Sequence, residues 1–144
     1  MSEENKRLAR EVFEKIWNDG DIDAADNILS GDYVANISDF VSPISGAEEY
    51  KQFVALFRAL SPQLSFTVAD QIAEGDKVAT RWSVRIRDGA EHANLQDAEN
   101  IEVCGMSIHR VAAGRLVESW DSWDSLKAFQ SLGEDVFESL SPGM

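Results

Sequence analysis

The sequence predicts an α+β domain in which helices cover one face of a strongly bent, largely antiparallel sheet. Three observations carry that expectation. Apolar residues in the N-terminal part recur at the helical spacing of three and four. From Leu64 onward they alternate in long runs joined by tight turns, the signature of half-buried antiparallel strands. Helices come first and hairpin-linked strands later, the order of an α+β layer architecture. A sheet bent over by helices encloses a conical cavity, and the bending needs twist and bulges.

The totals set bounds. At 144 residues, 44% of them hydrophobic and with four tryptophans, the chain suits one domain, 1–144, with a core that needs no staple. Acids outnumber bases 26 to 13, for a net charge of −13. That surface repels nucleic-acid phosphates and anionic lipid heads, so neither is an expected partner. Cys104 is the single cysteine, so no internal disulfide forms. The opening MSEENKR carries no apolar core of a secretory leader, and no run reaches membrane-spanning length. The expected location is cytoplasmic.

Leu8, Ala9, Val12, Phe13, Ile16 and Trp17 form one stripe, which predicts a helix from Glu3 to Asn18. Gly20 suits a left-handed cap for it. Asp21 or Asp23 caps a short second helix through Ala24, Ala25, Ile28 and Leu29, ended by Ser30-Gly31-Asp32. Tyr33 to Ile37 is a short strand, and Ser38 to Ser45 is loop. A third helix spans Ala47 to Leu60, with Tyr50, Phe53, Val54 and Phe57 on one face; Pro62 disfavours its continuation.

Two strands follow, around a hairpin at Glu74-Gly75-Asp76-Lys77. Val78, Thr80, Trp82, Val84 and Ile86 share one face; Arg81, Arg85 and Arg87 lie on the polar one, solvated or paired across strands. Asp88 to Asn100 is a polar connection. Ile101 and Val103 alternate, and Met106 and Ile108 alternate on the opposite parity; the slip near Cys104-Gly105 suggests a bulge. Gly114 supplies the positive φ of the next hairpin. Leu116 and Trp120 are expected on one face of the final strand and Asp121 on the other. Asp124 caps a last helix through Leu126, Phe129 and Leu132, closed by Gly133, and Val136, Phe137 and Leu140 outline a docked tail.

Asp121, between Trp120 and Trp123 at a strand end, is the best chemical candidate. Its structural alternative is a carboxylate bonded to backbone amides. Glu118 is either paired across strands or pocket-lining. His92, His109 and Cys104 lack metal-ligand spacing, so no metal site is expected. No nucleophile elbow, phosphate loop or dinucleotide fingerprint occurs.

Trp17-Asn18-Asp19-Gly20-Asp21, Glu74 through Trp82, and Ile108-His109-Arg110 through Gly114-Arg115-Leu116-Val117-Glu118-Ser119-Trp120-Asp121 resemble the SnoaL-like polyketide cyclases. These lie in the superfamily with the nuclear transport factor 2-like fold, a cone-shaped α+β barrel. The resemblance runs from about residue 4 to 133. It implies a cofactor-independent intramolecular aldol closure, with the matched aspartate, Asp121, as acid and base. It also implies a cavity lined by Trp17, Tyr33, Phe53, Phe57, Trp82 and Trp120, with Asn36 either a polar contact at the mouth or a backbone partner. The cyclase histidine three residues before the matched arginine is Ser107 here, which the resemblance places among the substrate-binding residues. A Gly-Ile-Pro-Pro-Thr-Gly loop of many relatives is replaced by His92 to Asn100, without proline. Relatives commonly pair through the outer sheet face, which implies a homodimer.

An aldol closure needs a base near an acidic carbon and a proton donor for the carbonyl oxygen. One desolvated carboxylate serves both ends, a 1,3-dicarbonyl supplies an activated carbon, and no metal or redox cofactor is required. The expected partner is a small hydrophobic carbonyl compound. The superfamily also holds non-catalytic binders of apolar ligands, ketosteroid-isomerase-like enzymes and epoxide hydrolases. The last would need an Asp-Arg-Asp cluster such as Asp121 with Arg85 and Asp88.

Overall fold

The protein is described by a computed structural model covering residues 2–86 and 101–127. Helix α1 (Ser2–Glu11) runs directly into a π-helical segment, Val12–Asn18. Together they occupy the span expected of one α-helix. The wider turn changes which residues face inward, and it sets Val12, Phe13, Ile16 and Trp17 all in the core. The Arg58 guanidinium donates to the carbonyls of Trp17 and Asn18, satisfying that exposed end. Asn18 grips the backbone of Phe66 from both sides, donating to its carbonyl at 2.9 Å and accepting from its N–H at 2.6 Å. The helix is therefore fixed against the sheet.

Gly20 has φ +67, as the left-handed cap requires. Asp21 Oδ1 accepts from the Ala24 N–H at 3.1 Å and starts a single 3-10 turn, Ile22–Ala24, that leads into α2 (Ala25–Ile28). Strand β1 begins at once, Leu29–Ile37, so Ser30-Gly31-Asp32 is strand and not helix end. Within the expected loop, β2 (Ile44–Ser45) pairs with Val34 and Ala35. Helix α3 (Ala47–Leu60) buries Tyr50, Val54 and Phe57 as its spacing predicted.

Strands β3 (Ser65–Glu74), β4 (Lys77–Ile86), β5 (Ile101–Ala112) and β6 (Arg115–Trp123) complete one six-stranded sheet in the order β2-β1-β6-β5-β4-β3. Among the described residues only the β1–β6 pair is parallel; it is the central join between the N-terminal strands and the hairpins. The sheet is mixed and open, an α+β cone with helices on the concave side. Its inner face and the helices share the core of Ile16, Tyr33, Ile44, Ile86, Val103 and Leu116. The hairpin between β3 and β4 turns on Gly75, φ +60.

Two expectations of parity are overturned. There is no bulge at Cys104-Gly105: β4 and β5 pair without a break from Lys77↔Arg110 to Ile86↔Ile101. Met106 and Ile108 simply lie on the outer face, 56% and 42% exposed. The bulge sits instead at Val117, where β5–β6 pairing shifts between Arg110↔Glu118 and Val111↔Leu116. One extra residue reverses the alternation. Leu116 is buried, yet Trp120 points outward at 39% exposure, with Lys77 Nζ 6.0 Å from its ring centre. Asp121, with Ser119 and Trp123, is turned inward.

The expected last helix, its Phe129 and Leu132, the tail and the connection 87–100 lie outside the described residues. What is described agrees with its start: Asp124 Oδ1 accepts from the Lys127 N–H at 3.2 Å. Among the described residues, no helix is long and apolar enough to cross a membrane.

Candidate functional site

The concave face of the sheet, the π-helical segment and α3 meet at one cavity of about 70 Å³, or about 610 Å³ with its open mouth included. Aromatic rings make most of its wall. Trp17 stacks edge-on against Phe53 and Phe57, with centroids at 5.8 and 5.7 Å, and Phe66 packs on Trp82 at 5.2 Å. These rings leave a narrow slot.

Asp121 lies at that slot, half-buried at the inner end of β6. Its two oxygens are each held by a serine. Ser107 Oγ donates to Oδ1 at 2.5 Å and Ser119 Oγ donates to Oδ2 at 2.7 Å. Each serine is held in turn: Trp82 Nε1 donates to Ser107 Oγ at 2.9 Å, and the Tyr33 hydroxyl donates to Ser119 Oγ at 2.7 Å. Two short relays therefore converge on one carboxylate and fix its plane. Burial first, then Tyr50 and the charge on Asp121, hold the Tyr33 phenol well above its usual range. Burial and Asp121 push Tyr50 up in the same way. Both phenols stay protonated: Tyr33 donates to Ser119, and Tyr50 accepts from Trp17 Nε1 at 2.9 Å.

Gly105 explains how Trp82 reaches Ser107. A Cβ at position 105 would fall 2.3 Å from the Trp82 ring, so only glycine admits the indole there.

His109, on β5, lines the cavity although the sequence did not single it out, as do Phe13, Tyr50 and Phe66. It lines the slot with 1% exposure, edge-on to Phe13 at 6.1 Å. Burial drives its pKa below the ordinary histidine value, against a smaller upward pull from Asp121. The signal was present as inward parity with Ser107, but a bulge assumed at Gly105 obscured it.

Of the residues expected around the cavity, Trp17, Phe53, Phe57, Trp82, Ser107 and Asp121 line it. Tyr33 is fully buried behind it and acts through Ser119. Trp120 lies on the opposite face of the sheet, because of the Val117 bulge. Asn36 is also displaced from the slot: its Nδ2 donates to the Ser119 carbonyl at 2.9 Å and to Glu118 at 3.1 Å. Glu118 is cross-strand paired, accepting from Arg110 at 3.3 Å. Arg81 pairs with Asp70 at 3.0 Å on the exposed face. Arg85 is exposed there too, away from Asp121, and Asp88 lies outside the described residues, so no Asp-Arg-Asp cluster forms through Arg85. Among the described residues, no three His, Cys, Asp or Glu side chains gather at a point that could hold a metal ion.

Solved structures share this architecture. A candidate SnoaL-like polyketide cyclase from Jannaschia sp. CCS1 aligns with a TM-score of 0.78 at 17% identity, over 91% of this chain and 92% of that one. IdmH of Streptomyces antibioticus, a candidate polyketide cyclase, gives 0.72 at 23% identity over 90% and 98%. AclR of Streptomyces galilaeus, a candidate hydroxylase, gives 0.75 at 24% identity over 93% and 98%. At these identities the likeness concerns the fold, which hosts more than one chemistry. No curated protein matches the chain. The family model of the SnoaL-like polyketide cyclases matches residues 7–132, from the first helix past the carboxylate of β6. That match spans most of the chain, which therefore belongs to the SnoaL-like polyketide cyclase family.

Proposed function

We propose that this protein is a cofactor-independent cyclase that closes a ring in a hydrophobic carbonyl compound, with Asp121 as its acid and base. The observation that carries the proposal is one carboxylate, held by two hydroxyls, at the inner end of an aromatic slot. The carboxylate removes a proton from a carbon between two carbonyls. The resulting enolate carbon attacks a further carbonyl, farther along the same molecule, forming the new carbon–carbon bond and an alkoxide. The carboxylic acid then returns its proton to the alkoxide, which balances the step. The slot supplies proximity, folding the reacting ends together. Its narrowness suits the reacting carbons, with the remainder of a larger skeleton in the mouth.

A second function, binding of a small apolar ligand without turnover, has support in the same contacts, because both carboxylate oxygens are already engaged. The test compares wild type with Asp121→Asn on a panel of 1,3-diketones and longer polyketones. Loss of ring closure with ligand binding retained supports the cyclase. Equal turnover in both proteins removes Asp121 from the chemistry. Binding without turnover in wild type favours the binder.

The proposal extends to a cytoplasmic homodimer formed through the outer sheet face. That face carries Ile72 at 73% exposure beside Met106, Ile108 and Trp120, a broader apolar area than scattered exposed residues make. Trp120→Glu is expected to convert the protein to a monomer in gel filtration; a wild type already monomeric at micromolar concentration sinks the dimer.

A further inference from the structure

Tyr50 lines the slot from the inward face of α3 and is almost fully buried. Its hydroxyl oxygen accepts from Trp17 Nε1 at 2.9 Å. An indole N–H only donates, so that bond cannot use the phenol's own proton. Among the described residues no group accepts this proton: the one side-chain bond of Tyr50 is that from Trp17. The hydroxyls around the carboxylate are all committed, Tyr33 to Ser119, and Ser107 and Ser119 to Asp121. A buried polar proton without an acceptor calls for an explanation.

The Tyr50 ring is held in a fixed orientation. It meets Trp17 and Tyr33 edge-on, with centroids at 6.3 and 5.3 Å and both interplanar angles 87°. The phenol is also near enough to Asp121 for the carboxylate charge to act on it: after burial, that charge is what raises it above the ordinary phenol range. The two groups line one cavity from different walls, Tyr50 from the helix and Asp121 from the sheet, and no hydrogen bond joins them. The slot thus has a proton acceptor on one wall and an unspent donor on the other.

We propose that Tyr50 is a further catalytic residue of the slot, its hydroxyl donating a hydrogen bond to the carbonyl that the enolate carbon attacks. This role rests on the cyclase proposal and divides its work between the walls: the acidic carbon lies at Asp121 and the electrophilic carbonyl at Tyr50. Charge that builds on the carbonyl oxygen as the carbon–carbon bond forms meets a donor already in place. The Trp17 N–H, bonded to the same phenol oxygen, polarises the O–H and strengthens that donation. Tyr50 keeps its proton throughout; the proton that reaches the alkoxide is the one Asp121 removed from carbon. A substrate therefore has to fold across the slot, from sheet to helix, to react.

The test uses cyclohexanone and methylenecyclohexane, which differ only in a carbonyl oxygen replaced by a methylene, with affinities read by tryptophan fluorescence. Tyr50→Phe keeps the ring and removes the hydroxyl. It is expected to lose about fivefold or more in affinity for cyclohexanone, with affinity for methylenecyclohexane within about twofold of wild type. The variant strands the Trp17 N–H, so a second readout uses the unaltered sequence. Its two tyrosines, Tyr33 and Tyr50, give two NMR signals when the ring carbon bearing the hydroxyl is isotopically labelled. Cyclohexanone at saturation is expected to move the Tyr50 signal away from its position in the methylenecyclohexane complex and to leave Tyr33 in place. A Tyr50 signal that responds alike to both ligands or to neither, or a variant that loses affinity equally for both or for neither, overturns the proposal. Ring closure of the longer polyketones is measured alongside, with kcat expected to fall about tenfold or more in Tyr50→Phe. Closure that needs Asp121 yet is unchanged in Tyr50→Phe removes Tyr50 and leaves the cyclase standing. Ketone-selective contact with Tyr50 but no closure by wild type removes the cyclase and leaves the donor.

Discussion

Ser107 and Asp121 face each other across β5 and β6, and the serine hydroxyl donates to the carboxylate at 2.5 Å while accepting from Trp82 Nε1 at 2.9 Å. One hydroxyl thus satisfies a buried indole and orients a charged group. Ser107→Ala removes both bonds and leaves two partners unmet. Hydrogen bonds to charged groups contribute about 1.5–3 kcal/mol, so a loss of about 2 kcal/mol in urea-unfolding stability is expected. Unchanged stability would show that the indole and the carboxylate find water instead.

Gly105→Ala tests how the slot is built. The new Cβ would meet the Trp82 ring at 2.3 Å, and a rigid indole cannot yield without leaving Ser107. Overpacking of this kind costs about 1–3 kcal/mol. The expected outcome is a lowered melting temperature together with altered Trp82 fluorescence. A variant as stable as wild type, with its emission unmoved, contradicts the close approach.

The same neighbourhood shows what the sequence conveys and what it hides. Helix α3 was legible to the residue because its packing face is simply apolar: Tyr50, Val54 and Phe57 all lie inward. The site strands break that rule. On β5 the inward residues near Asp121 are Gly105, Ser107 and His109, while the outward ones include Met106 and Ile108. When the buried face is polar and the exposed face apolar, alternation points the wrong way, and a shift of apolar parity mimics a bulge. The true bulge at Val117 leaves no trace in residue type, because Val117 itself suits a regular strand. Asp121 was found by its motif and its place at a strand end; its orientation and its serine partners came only from the register.

The β5–β6 hairpin offers a stabilising change far from the slot. Ala113 and Gly114 both have positive φ, 52° and 76°, as a two-residue turn of type I′ demands. Alanine is strained in that region, where its Cβ crowds the following carbonyl. Ala113→Asn creates the Asn-Gly pair this turn prefers. An increase of about 0.5–1 kcal/mol is expected from chemical denaturation, with ligand affinity unaltered. No gain, or a loss, would mean that the turn adopts another geometry in solution.

His109 makes stability depend on pH in a window separate from the ordinary carboxylates. Burial holds its folded-state pKa below 6.5, the value expected in the unfolded chain, and Asp121 offsets this only in part. Above 6.5 both states carry neutral imidazole and the full stability is present. As pH falls below 6.5, the unfolded chain takes up a proton first, so the unfolded state gains and stability drops until the folded pKa is passed. One proton bound only by the unfolded chain changes stability by at most about 1.4 kcal/mol per pH unit, so between pH 7.5 and 5.5 a loss of about 1 kcal/mol is expected. In His109→Gln that loss should be smaller, because the other titrating groups are common to both proteins and cancel in the comparison. Urea midpoints at the two pH values decide it: identical pH dependence in wild type and His109→Gln would mean that the folded protein accepts the proton as readily as the unfolded chain, and that the imidazole is not confined as a neutral ring beside Asp121.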